Sequence, residues 1–234
     1  YSSAASDVYK RQGVQFGYTS AGRYTSWNDI WNYYGFKERD VLPGDYKYED
    51  WNGDGEINGQ DEHPFAFDQT PWLQFSLNAG LQWKNFDFNM LLQGSALGSM
   101  EYKEPLHEIW GKNGGGALTQ FLDRWHPVDP KADPYDPSTV WTSGHYAYTG
   151  RWAKNNSAFN RVSTAYLRLK SIELGYTFPK LKQIPNASLR VYANAYNLLT
   201  FTGVKFVDPE HPDDDLGRMY PLNKTYTLGV SLSF

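Results

Sequence analysis

An apolar–polar alternation of period two, repeated in five segments, limits the fold of this chain more than any other feature. In QFSLNAGLQW, Phe75, Leu77, Ala79, Leu81 and Trp83 share one face, with Gln74, Ser76, Asn78, Gly80 and Gln82 on the other. FDFNMLLQG follows after Lys84-Asn85 and sets Phe86, Phe88, Met90 and Leu92 against Asp87, Asn89 and Gln93. YLRLKSIELGYTF ends with Ile172, Leu174, Tyr176 and Phe178 opposite Glu173, Gly175 and Thr177. SLRVYANAYNLL opposes Leu189, Val191, Ala193 and Ala195 to Arg190, Tyr192, Asn194 and Tyr196. KTYTLGVSLSF opposes Tyr226, Leu228, Val230, Leu232 and Phe234 to Thr225, Thr227, Gly229, Ser231 and Ser233. Successive side chains of a strand point to opposite faces, so each segment is predicted to be a strand with one apolar and one polar face. Lys84-Asn85 is predicted to be a tight hairpin turn.

A soluble sandwich alternates too, with its apolar faces turned inward. The connections separate the two cases. Read backwards from Phe234 they run long (199–223), short (179–187), very long (96–165), very short (84–85) and long again (about 20–73). Short turns at one end and long loops at the other are the pattern of an outer-membrane barrel, whereas so long a loop inside a compact soluble domain is unusual. Trp83, Phe86, Tyr176, Phe178, Tyr226 and Phe234 stand at strand ends, where interfacial aromatic girdles would lie. The last strand, descending from the outer side to a terminal Phe234, resembles the signal by which such barrels are recognised for insertion. No apolar run approaches the roughly 20 residues of a spanning helix, but a barrel strand needs only about 9–11.

Composition agrees. Aromatic residues make up 17% of the 234 residues, and 21 Gly and 13 Pro favour short strands and long loops over helices. The net charge of −4 argues against a nucleic-acid partner, which wants a basic face. The absence of Cys excludes disulfides, zinc–thiolate sites and thiol catalysis. YSSAASDVYKRQ lacks the basic start and apolar core of a signal peptide. It resembles translated sequencing-adaptor DNA, so residues 1–12 are expected not to be native and residues 13–234 to be the C-terminal part of a longer protein.

Once the strands are placed, the order of motifs becomes informative. PGDYKYEDWNGDGEIN is followed by FNMLLQG, DRWHP, AYLRLKSIELGYTFP, LRVYANAYNLLTFT, DPE and YPLNKTYTLGVSLSF, and preceded by GVQFGYTSAGRYTS. This ordered set, over residues 13–234, resembles the C-terminal end of the SusC/RagA type of TonB-dependent outer-membrane transporter of Bacteroidota. The resemblance implies an all-β fold, part of an antiparallel transmembrane barrel of about 22 strands with long extracellular loops. It implies a SusD-like surface lipoprotein as partner, TonB-ExbB-ExbD acting through N-terminal parts upstream, and outer-membrane lipid around the wall. The cargo would be oligosaccharides or peptides, in the outer membrane of a Gram-negative bacterium. The acidic HPDDDLG after DPE and the idiosyncratic loop 101–150 depart from the family and bear on cargo. A secreted, calcium-stiffened β-protein that binds glycans without transport shares some of these features, and so does a secreted hydrolase on a β-sandwich.

Two regions carry candidate sites. DWNGDGEINGQDE spaces Asp50, Asn52, Asp54, Glu56 and Asp61 like the ligands of a calcium loop, with Gly55 at the sharp turn. Asp61 replaces the usual bidentate Glu and shortens the reach, and no helices are predicted to flank the loop. A polar turn of Asp-Gly and Asn-Gly explains the same residues. No cofactor is expected to be required, and Ca2+ would act here as a structural brace. Trp110, Trp141 and Tyr146 are candidates for stacking on cargo or partner at the outer mouth; Trp125, within DRWHP, reads as structural. No catalytic constellation is legible: HEIWG lacks a second His at helical spacing, and GKNGGGA lacks the end of a phosphate loop. The chain is therefore not expected to be an enzyme.

Overall fold

In the computed structural model the five alternating segments become five long strands. The structure describes residues 13–33, 41–103, 106–107, 117–149, 153–154, 156–179, 187–210, 219–220 and 222–233. In chain order these include strands β1 (Val14–Gly17) and β2 (Ser20–Arg23), helix α1 (Trp27–Asn32), and strands β3 (Tyr46–Tyr48), β4 (His63–Phe67), β5 (Leu73–Trp83) and β6 (Phe86–Ala96). Short strands β7 (Ser99–Glu101), β8 (His126–Pro127), β9 (Trp141–Thr142) and β10 (Arg161–Ser163) follow. The long strands β11 (Tyr166–Phe178), β12 (Ser188–Thr202) and β13 (Thr225–Ser233) complete the order. The predicted all-β class holds. The chain divides into two units, one of residues 1–70, 99–162 and 212–218, the other of 71–98, 163–211 and 219–234.

The second unit is a sheet of order β13-β12-β11-β6-β5, antiparallel at each described pairing. Its register puts the predicted faces together. Leu81 pairs with Phe88, which pairs with Leu174, then Ala193, then Leu228, giving an apolar row across all five strands. Gln82, Asp87 and Gly175 begin a polar row on the opposite face. The β5–β6 hairpin turns at Lys84, whose φ of 55° is left-handed. Within β11 the ladder shifts between Leu169 and Ser171. Two residues advance on β11 for one on β6, so Lys170 is an extra residue. Such a bulge reverses the phase of alternation. Tyr166 and Arg168 on one side of it therefore share the polar face with Ser171 and Glu173 on the other.

The first unit is built from short ladders and aromatic clusters. β1 pairs with β4, β2 with β3 and β8 with β9. Tyr24, Ile30 and Val41 form a small buried core, with Trp27 and Tyr33 against it. Helix α1 is capped by the Ser26 hydroxyl, which accepts from Asp29 N–H at 3.2 Å. The PGD motif has a physical cause. Asp45 is buried, its carboxylate accepts from Leu42 N–H at 2.9 Å and from the Thr149 hydroxyl at 3.1 Å. Gly44 has a φ of 94°, and a Cβ there would lie 2.4 Å from the Trp125 ring. Only glycine meets both conditions.

Candidate functional site

The sheet presents two chemically opposite faces. On the apolar face Leu73, Phe75, Leu77, Leu81, Trp83, Leu174, Val191, Val230 and Leu232 are exposed, and Leu228 reaches 85% exposure. A continuous apolar surface of this extent needs a nonaqueous neighbour. The apolar row of β5 spans 11 residues; at about 3.3 Å per residue and a tilt of about 45° it covers roughly 25 Å of height, the thickness of a barrel's lipid band. At the end bearing the short turns, Trp83, Phe86, Tyr176 and Phe178 form a chain of ring contacts. Their centroids lie 6.4, 4.7 and 4.7 Å apart in sequence order. These are four of the residues predicted for an aromatic girdle, gathered at one end of the sheet; Phe234 lies outside the described residues.

The polar face carries two ion networks. Arg190 on β12 pairs with Asp87 on β6, through Nη2 and a 3.1 Å bond from Nε, and with Glu173 on β11 at 2.6 Å. The pair bridges three strands by passing over Gly175, where a Cβ would fall 2.5 Å from the Asp87 carboxylate and 2.6 Å from Arg190 Nη2. The second network lies at the other end of β11. Arg168, only 1% exposed, donates Nη1–H to Glu210 at 2.6 Å, Nη2–H to both Asp208 oxygens at 2.8 and 2.7 Å, and Nε–H to Thr200 at 3.0 Å. Tyr166 donates its hydroxyl to Glu210. The DPE motif thus supplies both carboxylates that hold a buried cation on the polar face. Sequence reasoning placed Asp87, Glu173 and Arg190 on that face without pairing them, and passed over Arg168. An arginine in phase with the apolar Ile172 and Leu174, followed by DPE downstream, was the available signal, because a charge at that phase marks a break in the alternation.

In the first unit the calcium-like loop closes on its own backbone. Asp50 accepts from the N–H groups of Gly53 and Gly55 at 2.7 and 2.8 Å, Asn52 from Asp54 N–H at 2.9 Å, and Asp54 from Glu56 N–H at 2.8 Å. Asp61 is fully buried and accepts from Trp51, Asn52 and Asn58 N–H at 2.9, 3.3 and 2.8 Å. Asn58 and Asp61 form a capping box on the turn Gly59–Asp61. The structure thus brings together Asp50, Asn52, Asp54 and Asp61 in one loop, with Glu56 on its exposed side. Among the described residues no group of three or more His, Asp or Glu side chains is arranged to hold a metal ion. Trp51 stacks face to face on His63, with centroids 3.8 Å apart and planes 14° apart.

The aromatic candidates are placed differently from one another. Tyr146 is buried at 7% exposure against Phe121, ring centroids 4.5 Å apart. Burial pushes its hydroxyl pKa up to about 12, so it stays protonated. Trp141, half-buried, meets the edge of Tyr148 at 5.4 Å, and its indole N–H is buried with no hydrogen-bond partner among the described residues. Trp110 lies outside the described residues. Trp125 is buried on Gly44. Trp51, which sequence reasoning did not single out, is 59% exposed.

A sheet with one lipid-sized apolar face, one polar face with paired charges, and long segments joined at one end defines a section of a transmembrane β-barrel wall. Comparison with known proteins shows what this wall section is similar to. Over 211 residues, 83% of this chain, it is 28% identical to TonB-dependent receptor P3 of Formosa agariphila. Over 210 residues, 88% of this chain, it is 26% identical to TonB-dependent receptor SusC of Bacteroides thetaiotaomicron. It shares its fold with the RagAB peptide transporter, with a TM-score of 0.59 and 19% identity over 94% of this chain and 22% of that one. The resemblance to SusC/RagA-type TonB-dependent transporters is shown by these matches over more than four-fifths of the chain. The chain spans about a fifth of the length of the curated relatives it matches, 19% of each. No family model matches it.

Proposed function

We propose that the chain is the C-terminal portion of the barrel of an energy-coupled outer-membrane importer of nutrient oligomers. The observation that carries this reading is the two-faced sheet. An apolar face exposed from Leu73 to Leu232 makes sense against lipid, and the opposite face, with its ion pairs, makes sense against a polar lumen. A secreted β-protein free in water would instead bury that apolar face. The similarity to SusC and to the RagAB peptide transporter supports import as the activity. Oligosaccharides and peptides are both within reach of the reading. A SusD-like lipoprotein would cover the outer mouth, and TonB-ExbB-ExbD would act on upstream parts of the complete protein. No catalytic step is required of these residues: their work is to form a wall, seat the long loops and leave the lumen polar.

A structural calcium ion is the part of this reading that the loop supports least. Asp50, Asn52 and Asp54 have the ligand chemistry, but Asp50 and Asp61 each engage both carboxylate oxygens with backbone N–H groups. An ion would brace a loop already closed without it. Chelation by EGTA is then expected to leave the folded loop intact and to raise its proteolysis only modestly.

The test uses the complete protein in its own host. It is expected in the outer-membrane fraction, with energised uptake of oligomers that disappears when TonB is deleted. Recovery from the soluble extracellular fraction, with none in outer membranes, would sink the reading.

A further inference from the structure

We infer that Trp51 is a stacking platform for a pyranose ring of a neutral oligosaccharide. The inference rests on the import reading and names a contact for its cargo. Three observations carry it. First, the indole is held in place from behind. It lies flat on His63, 3.8 Å away, and His63 is buried and opens β4, paired there with Gly17 of β1. His63 Nδ1 is 3.0 Å from the Asp61 carbonyl, while the Asp61 carboxylate accepts Trp51 N–H at 2.9 Å. The His63 ring and the Trp51 backbone amide are thus tied to one fully buried residue, and the indole is held by its stacking on that ring. An aromatic fixed before the ligand arrives loses little freedom on binding.

Second, the indole is largely exposed. Trp51 is 59% exposed, and a Cβ added at Gly53, Gly55 or Gly59 of the same loop would meet nothing within 4 Å. A peptide side chain is usually held in a pocket with apolar walls. An exposed ring suits a sugar, which offers a flat C–H face to an indole and hydroxyls at its rim. Third, the loop offers hydroxyl-binding groups. Asn52 Nδ2 bridges the Asp54 carboxylate at 2.9 Å and the Gln60 carbonyl at 3.3 Å, in an exposed amide–carboxylate cluster. Residues 50–62 hold five carboxylates and no Lys or Arg, which disfavours an anionic glycan. Among the described residues Lys154 reaches the loop, donating to the Ile57 backbone carbonyl at 3.4 Å.

The test titrates the full-length transporter calorimetrically with neutral oligosaccharides prepared from starch, xylan, mannan and β-glucan, and with a tryptic digest of casein. At least one sugar is expected to bind. Trp51→Ala is expected to weaken it about tenfold and Trp51→Phe, which keeps a ring, about threefold, with unchanged thermal melting in both. Equal affinity in Trp51→Ala and the parent overturns the inference. Binding of casein peptides alone overturns it and leaves the import reading standing. Loss of the co-purifying lipoprotein in Trp51→Ala with sugar affinity retained also overturns it, by reassigning Trp51 to the partner. A Trp51-dependent affinity without energised uptake upholds the platform and counts against import alone.

Discussion

The two units of this chain bury opposite kinds of residue. The first follows the rules of a water-soluble domain: Tyr24, Ile30 and Val41 are inside, and so are Phe121 and Tyr146. In the second, the most deeply buried large side chain is the cation Arg168, while Leu228 and Val230 are exposed. One sequence therefore contains two solvents. Where water surrounds the chain, apolar residues go inside; where lipid surrounds it, they go outside and charges must find partners on the inner face. What holds the sheet is its ladder of backbone bonds and a few charge networks, because its apolar face gains nothing until a membrane covers it.

The largest effect is expected where that logic is most exposed. Removing the guanidinium with Arg168→Ala leaves Asp208 and Glu210 side by side without their cation. Breaking a buried pair typically costs about 3–5 kcal/mol; both carboxylates retain some exposure, 17% and 30%, which points to the lower end. The full-length protein in detergent should lose its folded gel mobility at a distinctly lower temperature. An unchanged transition would mean that the polar face does not depend on this pairing.

The next prediction separates the two solvents directly. Leu228→Arg puts a charge on the apolar face, at a cost of roughly 2–4 kcal/mol if it lies near the bilayer midplane. Thr227→Arg, one residue away and on the opposite face, should cost far less. In a soluble sheet the order reverses, since an exposed leucine is replaced by arginine almost freely. Folding into lipid vesicles, followed by protease protection, reads both variants side by side. For the first unit the matching probe is Gly44→Ala, which forces a left-handed alanine against the Trp125 ring. It is expected to cost about 2 kcal/mol, between the price of a strained φ and that of overpacking, and to increase proteolysis of the loops while leaving the sheet's transition in place.

The same contrast explains what the sequence revealed. The strands Leu73–Trp83 and Phe86–Ala96 were legible almost to the residue, because period-two alternation is the direct imprint of two solvents on one strand. Alternation fails as a guide at β11, where the extra Lys170 reverses the phase and hides Arg168 on the same face as Glu173. Ion pairing across strands depends on register, and register is set by pairs distant in sequence. The loop unit was least legible. Its aromatic candidates were chosen by residue type, yet the structure buries the chosen Tyr146 and exposes Trp51, which was not among them, and burial there comes from contacts such as Phe121 that no local pattern announces. The calcium-like spacing was correct as a loop signal, since the same Asp and Asn residues that would ligate an ion also cap backbone N–H groups.

The smallest prediction concerns acid, and it applies to the loop unit. Partial burial acts to raise the pKa of Asp29. Hydrogen bonds from Lys47 at 2.7 Å and from Thr25 N–H at 3.1 Å, with the Lys47 charge, outweigh it and hold the carboxyl below its ordinary value. A depressed carboxylate pKa means that the folded state binds the proton less readily than the unfolded one. Its contribution is therefore fully present above the ordinary value, near pH 4, and is lost as pH falls through the lower folded value. The pair is partly exposed, 16% and 26%, so the amount is at most about 1 kcal/mol. Hydrogen exchange around helix α1 should quicken below about pH 4 in the parent, beyond the intrinsic pH dependence. In Asp29→Asn the local protection should be lower at neutral pH and respond less to acid. An identical acid response in parent and variant would place the sensitivity elsewhere in the unit, and would show that α1 is held by the Ser26 cap and by burial of Ile30 alone.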